Sequence, residues 1–173
     1  MYVPDVWFTS DTHHGHKNII KFEPIRKWDN TDDMDEALIQ RWNSKVKPHD
    51  IIFHIGDVFL CGAKRAEYIA SRLNGRKILI LGNHDSFSKK KYRDMGFDVH
   101  NYYFYEDFLL SHYPQDGRLL LQAQQHGLRG NICGHVHSNI EGLNPDVHFC
   151  ACVENHDFYP VHIDTIKQSF KGE

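Results

Sequence analysis

The sequence predicts a mixed α/β fold, and three observations support that prediction. Short apolar runs of strand length alternate with longer amphipathic segments through the first half of the chain. Several of these runs end directly at an aspartate, an asparagine or a histidine. The composition is that of an ordinary globular protein, with 40% hydrophobic and 13% aromatic residues among 173. This length fits one domain over residues 1–173, with a sizeable core.

The first half is predicted to alternate strands with helices, which favours a sheet with parallel crossovers. Thr31, Asp32 and Asp33 are helix-start signals, apolar residues then recur at helical spacing, and Pro48 ends the pattern. Gly75 ends a second helix. In chain order the elements predicted here are a strand over residues 3–9, a helix over 33–46, a strand over 50–55, a helix over 66–73 and a strand over 77–81.

The second half is richer in aromatic residues. Residues 99–105 and 108–111 form two aromatic-rich runs separated by Glu106 and Asp107, which predicts a hairpin. Residues 13–30 are a long polar connection between the first strand and the first helix, and long connections in compact domains are often functional. The remaining predicted elements are a helix over residues 119–125, strands over 130–133 and 147–153, and a short helix containing Ile163, Ile166 and Phe170.

The charge and the cysteine content indicate which partners and which cellular compartment to expect. Twenty basic and 23 acidic residues give a formal charge of -3 without a polybasic segment, so a stable nucleic-acid partner is not expected. The four cysteines form no CxxC pair, which favours free thiols in a reducing compartment. Residues 1–6 lack the pattern of a secretory signal, and no apolar run is long enough to span a bilayer. We therefore expect a cytoplasmic protein without membrane attachment.

Five short blocks of potential metal ligands recur along the chain. Four of them directly follow an apolar run, and the carboxyl ends of strands in an open α/β sheet meet where ligands bind. Residues that are far apart in sequence are therefore expected to converge. The blocks are Asp11-Thr12-His13, Gly56-Asp57, Gly82-Asn83-His84-Asp85, Ser111-His112 and Gly134-His135-Val136-His137.

The residue types in these blocks suit a pair of first-row divalent metals. Aspartate and asparagine supply hard oxygen donors and histidine supplies nitrogen, and the chain has 14 histidines. A carboxylate such as that of Asp57 can bridge two cations with its two oxygens. Metals bridged in this way lie about 3.5–4 Å apart and can hold an activated water and a phosphoryl group. The blocks therefore predict a metal-dependent phosphoesterase.

The order of the blocks resembles the calcineurin-like metallophosphoesterase superfamily, which has D-x-H, GD, GNH[DE], H and GHxH blocks in the same order. The resemblance extends from about residue 3 to residue 137. The opening residues 10–20 and the late residues 158–161 are most similar to the small, stand-alone bacterial and phage members. The resemblance implies a four-layer α/β sandwich, in which two mixed β-sheets face each other and are flanked by helices.

The resemblance also implies a role for each site residue. Manganese is the favoured metal, and iron, zinc and nickel suit the same ligands. His84 is not a ligand in this scheme but lies beside the scissile phosphate, where it stabilises the transition state or protonates the leaving oxygen. The expected reaction is in-line attack by a metal-bridging hydroxide without a phosphoenzyme. One metal would be held by Asp11, His13, Asp57 and His137, and the other by Asp57, Asn83, His112 and His135.

The substrate is expected to be a small phosphodiester or a nucleotide. Protein phosphatases of this superfamily have a GDxxDRG motif, and the aspartate and arginine of that motif are missing after Asp57. A general phosphomonoesterase with the same site is the alternative enzyme. A non-catalytic metal-binding scaffold is less favoured, because all seven ligands and His84 are present.

Several residues near the blocks allow two interpretations. His14 and His16 either line the substrate cleft or are solvated loop residues. Arg26 is either a contact to the substrate phosphate or a surface arginine, and the surface interpretation is favoured. His54 lies inside an apolar strand and is expected to be a hydrogen-bonded core residue. Asp85 either orients His84 or caps the following turn, and the cap is slightly favoured.

The aromatic run over residues 102–105 also allows two interpretations. It could stack a nucleobase, although packing in the core and at a sheet edge explains it more simply. Cys150 and Cys152 alternate on a predicted strand and are expected to pack rather than bind a soft metal.

Overall fold

The computed structural model describes residues 3–170, so the prediction made for residues 1 and 2 lies outside the described part of the chain. The strands in chain order are β1 (Val6–Thr9), β2 (Ile51–His54), β3 (Arg76–Ile80), β4 (Phe97–His100), β5 (Tyr103–Tyr105), β6 (Phe108–Ser111), β7 (Gly130–Cys133), β8 (His148–Cys150) and β9 (Val161–His162). The helices are α1 (Ile19–Phe22), α2 (Thr31–Lys45), α3 (Ala63–Arg72), α4 (Lys89–Asp94), α5 (Gly117–Gln124) and α6 (Ile163–Ser169), with a 3-10 helix over Val153–His156.

The first sheet has five strands in the order β4-β3-β2-β1-β9. Its first four strands are parallel, with Phe8 of β1 opposite Phe53 of β2, and only β9 runs antiparallel. The parallel arrangement brings the carboxyl ends of β1, β2 and β3 to one edge of the sheet. Three of the five ligand blocks follow these three strands.

The second sheet has four strands in the order β5-β6-β7-β8. Strands β5 and β6 form the antiparallel pair of this sheet, whereas β6, β7 and β8 are parallel. The carboxyl ends of β6 and β7 therefore also lie together, and the remaining two ligand blocks follow them. An isolated parallel bridge between Ser10 and Cys152 joins the two sheets at this end.

Side chains alternate across the strands, and this alternation builds the layers. Phe8, Phe53 and Ile78 of the first sheet pack against Leu110 and Ile132 of the second in one buried cluster. The opposite face of the first sheet packs against α2, α3 and α4. Helix α5 packs on β7 from outside the second sheet. The fold is thus two mixed sheets flanked by helices, which confirms the predicted sandwich.

The main error in the predicted elements concerns residues 99–105. This run does not form one arm of a hairpin, because it divides into β4 in the first sheet and β5 in the second. Only Tyr103–Tyr105 pairs with Phe108–Ser111. The turn at Asn101 and Tyr102 lets the chain leave one sheet and enter the other. The aromatic-rich composition of the run could not reveal this change of sheet.

Other differences are local. Helix α2 begins at Thr31 rather than residue 33, because the side chain of Asn30 accepts a hydrogen bond from the Asp33 backbone and caps the helix. The predicted strand over residues 147–153 is shortened to β8 because its end turns into the 3-10 helix. Helix α4 and strand β9 were not predicted, since the first is short and highly charged and the second has two residues.

Within residues 3–170, no helix combines the length and the apolar character needed to cross a membrane. All four cysteines, which lie inside the described range, are free thiols.

Candidate metal centre

Five of the seven predicted metal ligands have a left-handed backbone. Non-glycine residues at positive φ are uncommon, cost roughly 1–3 kcal/mol each and cluster at functional sites. The turns that follow β1, β2 and β7 adopt this conformation at the candidate ligands, and it directs the side chains back over the strand ends. The residues are Asp11 (φ 56°), His13 (φ 49°), Asp57 (φ 58°), His135 (φ 72°) and His137 (φ 51°).

The glycines of the blocks leave space for the ligand side chains. A Cβ at Gly82 would overlap the Asp57 carboxylate, and a Cβ at Gly134 would overlap the carboxylate of Asp11. Gly56 is at φ +91°, and a Cβ there would press on the His112 ring. The glycine in the GD, GN and GH blocks is therefore required by the close approach of the backbone to a candidate ligand.

Asp11, His13 and His137 form the first donor set. The His13 Nε2 lies 3.8 Å from the Asp11 Oδ1, and the His137 Nε2 lies 3.7 Å from the same oxygen. These distances are too long for hydrogen bonds. Two donors that each bind an ion at about 2.1 Å lie at most about 4.2 Å apart, and both histidines lie within this limit of the Asp11 oxygen.

His112, Asn83 and His135 form the second donor set. The Asn83 Oδ1 lies 2.9 Å from the His112 Nε2 and 3.1 Å from the His135 Nδ1. Asn83 is exposed and His135 is half-buried, whereas His112 is buried. This set therefore faces solvent on one side.

Asp57 lies between the two sets. Its Oδ2 is 3.6 Å from the His13 Nε2 and 3.4 Å from the His112 Nε2. Its Oδ1 accepts a hydrogen bond from the His84 backbone at 2.8 Å. Oδ2 is therefore the Asp57 oxygen that would contact ions held by the two sets, because Oδ1 already accepts a hydrogen bond from the neighbouring loop.

Three buried atoms at the meeting point of these sets have no hydrogen-bond partner within residues 3–170. They are the Asp11 Oδ1, the His13 Nε2 and the Asp57 Oδ2. Buried polar atoms are normally paired, because an unpaired one loses its hydration without compensation. Burial alone would raise the pKa of Asp11, but the neighbouring His13, His112 and His137 hold it below its usual range. Unpaired oxygen and nitrogen donors of this kind fit divalent cations.

Two histidines are fixed in the tautomer that metal binding requires. The His112 Nδ1 lies 2.8 Å from the Ile55 carbonyl, which can only accept, so Nδ1 holds the proton and Nε2 presents its lone pair. The His137 Nδ1 lies 3.0 Å from the Glu154 Oε1, which orients its Nε2 in the same way.

Glu154 was missed by the sequence analysis. It is 3% exposed, and its Oε1 accepts hydrogen bonds from the Nε and NH2 groups of Arg26 as well as contacting His137. Burial would raise the pKa of Glu154, but His137 and Arg26 lower it below the usual range. An acidic residue directly after an apolar strand was the signal in the sequence, as it was at Asp11 and Asp57.

The surface interpretation of Arg26 is wrong, because its side chain is 1% exposed. Besides Glu154, it donates to the carbonyl oxygens of Asp11 at 2.6 Å and Thr12 at 2.9 Å. Its described partners are all protein acceptors behind the site, so the alternative of a contact to the substrate phosphate is also corrected. Arg26 instead holds the loop of the first block.

His14 and His16 have separate positions. His14 is 1% exposed and pairs with Asp35 at 3.1 Å, so neither the cleft nor the solvated-loop interpretation holds for it. His16 is half-buried beside the site, with its Nδ1 3.3 Å from the His13 Nδ1. Burial, with the charges of His13 and His84, lowers the pKa of His16 to about 4. A neutral His16 stays a candidate for substrate binding.

His84 is exposed at the mouth of the site, where its ring centroid lies 5.6 Å from that of His13. Asp85 neither orients this ring nor caps the next turn. Its carboxylate accepts hydrogen bonds from the backbone amides of Gly82, Asp57 and Val58 and from the hydroxyl of Tyr92. Asp85 thereby ties the Asn83 loop to the Asp57 loop.

His54 is fully buried, and its Nε2 lies 2.9 Å from the Thr12 hydroxyl. Burial lowers its pKa to about 3, which keeps the ring neutral. The expectation of a hydrogen-bonded core histidine is confirmed.

The chain is similar to several known proteins. The chain is 33% identical over 174 residues to an uncharacterized protein, MJ1445, of Methanocaldococcus jannaschii, covering 96% of this chain and 91% of that protein. It resembles the crystal structure of a protein of unknown function, AQ665, from Aquifex aeolicus, with a TM-score of 0.78, 29% identity, and 96% and 99% of the two chains covered. The structure of Pseudomonas putida nuclease MPE shares the fold, with a TM-score of 0.52, 22% identity, and 76% and 61% of the two chains covered.

The family model of the calcineurin-like phosphoesterases matches residues 4–117, which include four of the five ligand blocks. The fifth block, at residues 134–137, completes the donor sets in the structure. This chain belongs to the calcineurin-like phosphoesterase family.

Proposed function

We propose that the protein hydrolyses a phosphodiester or nucleotide-type substrate with two divalent metals, of which manganese is favoured. One observation supports this most strongly: the unpaired, buried donor atoms of Asp11, His13 and Asp57 converge on one edge of the sandwich. A dinuclear centre, when bound, supplies an activated water and neutralises charge on the phosphate.

The protein contributes orientation and proton transfer. The Oδ2 of Asp57 faces both donor sets, and its Oδ1 fixes the backbone of the loop that presents His84. The imidazole of His84, exposed beside His13, is proposed to donate a proton to the leaving oxygen or to stabilise charge in the transition state. His16, whose ring centroid lies 5.2 Å from that of His13, is proposed to contact the substrate as well.

The test compares bis(p-nitrophenyl) phosphate with p-nitrophenyl phosphate. The protein is stripped of metal, reloaded with manganese and assayed beside His84→Ala. Diester turnover that requires manganese and falls by roughly 10²–10⁴ in the variant is the expected result. Faster turnover of the monoester would support the general phosphomonoesterase instead. If protein with two bound metals cleaves neither ester, the proposed activity is wrong and the non-catalytic scaffold is favoured.

The one-domain organisation over residues 1–173 belongs to the same proposal. The substrate is a small molecule, and we propose no stable nucleic-acid partner. The cytoplasmic location inferred from unpaired cysteines stays a prediction.

A further inference from the structure

A cavity opens beside the second donor set. Its volume is about 510 Å³, which lies in the usual range of small-molecule sites. One wall is the candidate ligand His112 together with Tyr113, and the other walls include Leu81, Tyr102, Phe104 and Leu109.

The aromatic run beside this cavity divides into two faces. Tyr103 and Tyr105 turn inward and pack on the core between the sheets. Tyr102 and Phe104 turn outward and are 63% and 61% exposed. Their rings meet edge-to-face with centroids 6.2 Å apart. Packing therefore accounts for half of the run and leaves two large aromatic rings on the cavity wall.

The cavity is continuous with the metal centre. The Tyr113 ring centroid lies 4.4 Å from that of His135 and 5.3 Å from that of His112. Tyr113 is itself 50% exposed. A group attached to a phosphate at the second donor set would therefore meet Tyr113 first and then Tyr102 and Phe104.

The charge of the lining distinguishes between possible occupants. Among the described residues that line the cavity, none is a lysine, arginine, aspartate or glutamate. A nucleic-acid strand is bound mainly by cations that neutralise its phosphates, and this lining supplies none. A single uncharged planar group needs aromatic faces and a few polar side chains, which Asn101 and Gln115 provide.

We propose that this cavity binds the nucleobase of a nucleotide substrate by stacking on Tyr102, Phe104 and Tyr113. The assignment rests on the proposed function, because the phosphate of that nucleotide must lie at the metal centre. It names a mononucleotide-type substrate rather than a polynucleotide.

The test measures binding, so that its result does not depend on turnover. Adenosine 5′-monophosphate and ribose 5-phosphate are titrated by calorimetry into manganese-loaded protein, wild type and variants. We expect the nucleotide to bind about tenfold or more tightly than the sugar phosphate, in line with the energy of base–aromatic stacking. Tyr102→Ala and Phe104→Ala should each reduce the affinity for the nucleotide by about tenfold and leave that for ribose 5-phosphate unchanged.

Tyr68→Ala is the matched control. Tyr68 is 61% exposed, like Phe104, but lies on α3 away from the cavity. Exposed substitutions of this kind are expected to leave folding intact, which circular dichroism checks for each variant.

Equal affinity for the two ligands, no binding of either, or an equal loss in the Tyr68→Ala control would overturn the assignment. So would a single-stranded oligonucleotide that binds far more tightly than the mononucleotide with steep salt dependence. Failure of the proposed function gives a different result. The chromogenic esters would then stay uncleaved, whether or not the nucleotide binds.

Discussion

The two donor sets of the candidate metal centre differ in burial and in what lies behind them. Asp11 and His13 of the first set are 0% and 2% exposed, and the buried pair of Glu154 and Arg26 holds His137. In the second set, Asn83 is exposed and His135 is half-buried, with its ring against that of Tyr113. The comparison indicates that protein contacts hold the first set in place, whereas the second set is open to solvent.

The ion pair behind the first donor set is buried, and burying charge costs free energy. A buried charge pair is stabilising only when its geometry and hydrogen bonds are good, and removing one partner is strongly destabilising. Arg26 meets this condition by donating to Glu154 and to two backbone carbonyls of the first block. The second side has no corresponding ion pair behind its ligands among the described residues; His112 is held by the Ile55 carbonyl.

Removing the charge shared by the two sets should have the largest effect. Asp57→Asn should weaken both metals and reduce turnover more than any other single change, because Oδ2 lies within 3.6 Å of ligands from both sets. Metal content by mass spectrometry after dialysis, beside an Asp98→Asn control, measures the effect. Loss of a single metal would show that Asp57 does not bridge.

His84→Ala should separate chemistry from metal binding. The variant should keep two metals per chain and lose roughly 10²–10⁴ in kcat, because the exposed ring is not part of either donor set. Turnover of the ester by metal-loaded protein gives kcat, and the metal content per chain is measured in parallel. If the variant lost metal as well as activity, His84 would be a metal ligand and the assignment would be wrong.

Glu154→Gln should affect the two donor sets unequally. It removes the charge that orients His137, so the affinity of the first set for manganese should fall by about 10–100-fold while the second set changes little. Calorimetric titration of metal-free protein resolves the two affinities, and Glu141→Gln, an exposed residue, is the control. Arg26→Lys should act in the same direction, since a lysine cannot reproduce the forked contact to Glu154.

An equal loss at both sets in Glu154→Gln would contradict the comparison. An unchanged first affinity in a folded variant would show that Glu154 has no part in orienting His137.

The smallest effect is expected for a substitution at the buried His54. His54→Gln should lower the free energy of unfolding by about 1–3 kcal/mol, because the buried contact to Thr12 is disturbed. Its metal content should stay unchanged. Urea denaturation beside the exposed control His126→Gln measures the stability difference. If His54→Gln reduces metal content without changing stability, the core assignment of His54 is wrong.

The sequence predicted those features that depend on local pattern. Asp11, Asp57 and Asn83 were placed at strand ends by the apolar runs before them, and the parallel strands bring them to one edge. Strand β7 was predicted with its observed bounds, Gly130–Cys133. The layered sandwich came from the resemblance of the ordered blocks to a known family, not from periodicity.

The features that were not predicted depend on contacts between distant residues. Glu154 lies 128 residues from Arg26, and nothing in either local sequence marks them as partners. Asp85 was expected to act locally, yet it accepts hydrogen bonds from amides 27 and 28 residues away. The division of residues 99–105 between two sheets is equally non-local, because pairing partners and not apolar character decide which sheet a strand joins.

The most direct test is anomalous scattering from a crystal of the protein loaded with manganese. The account predicts two peaks about 3.5–4 Å apart, one bound by Asp11, His13 and His137 and the other by Asn83, His112 and His135, with Asp57 between them. A single peak, or two peaks that do not share Asp57, would contradict it.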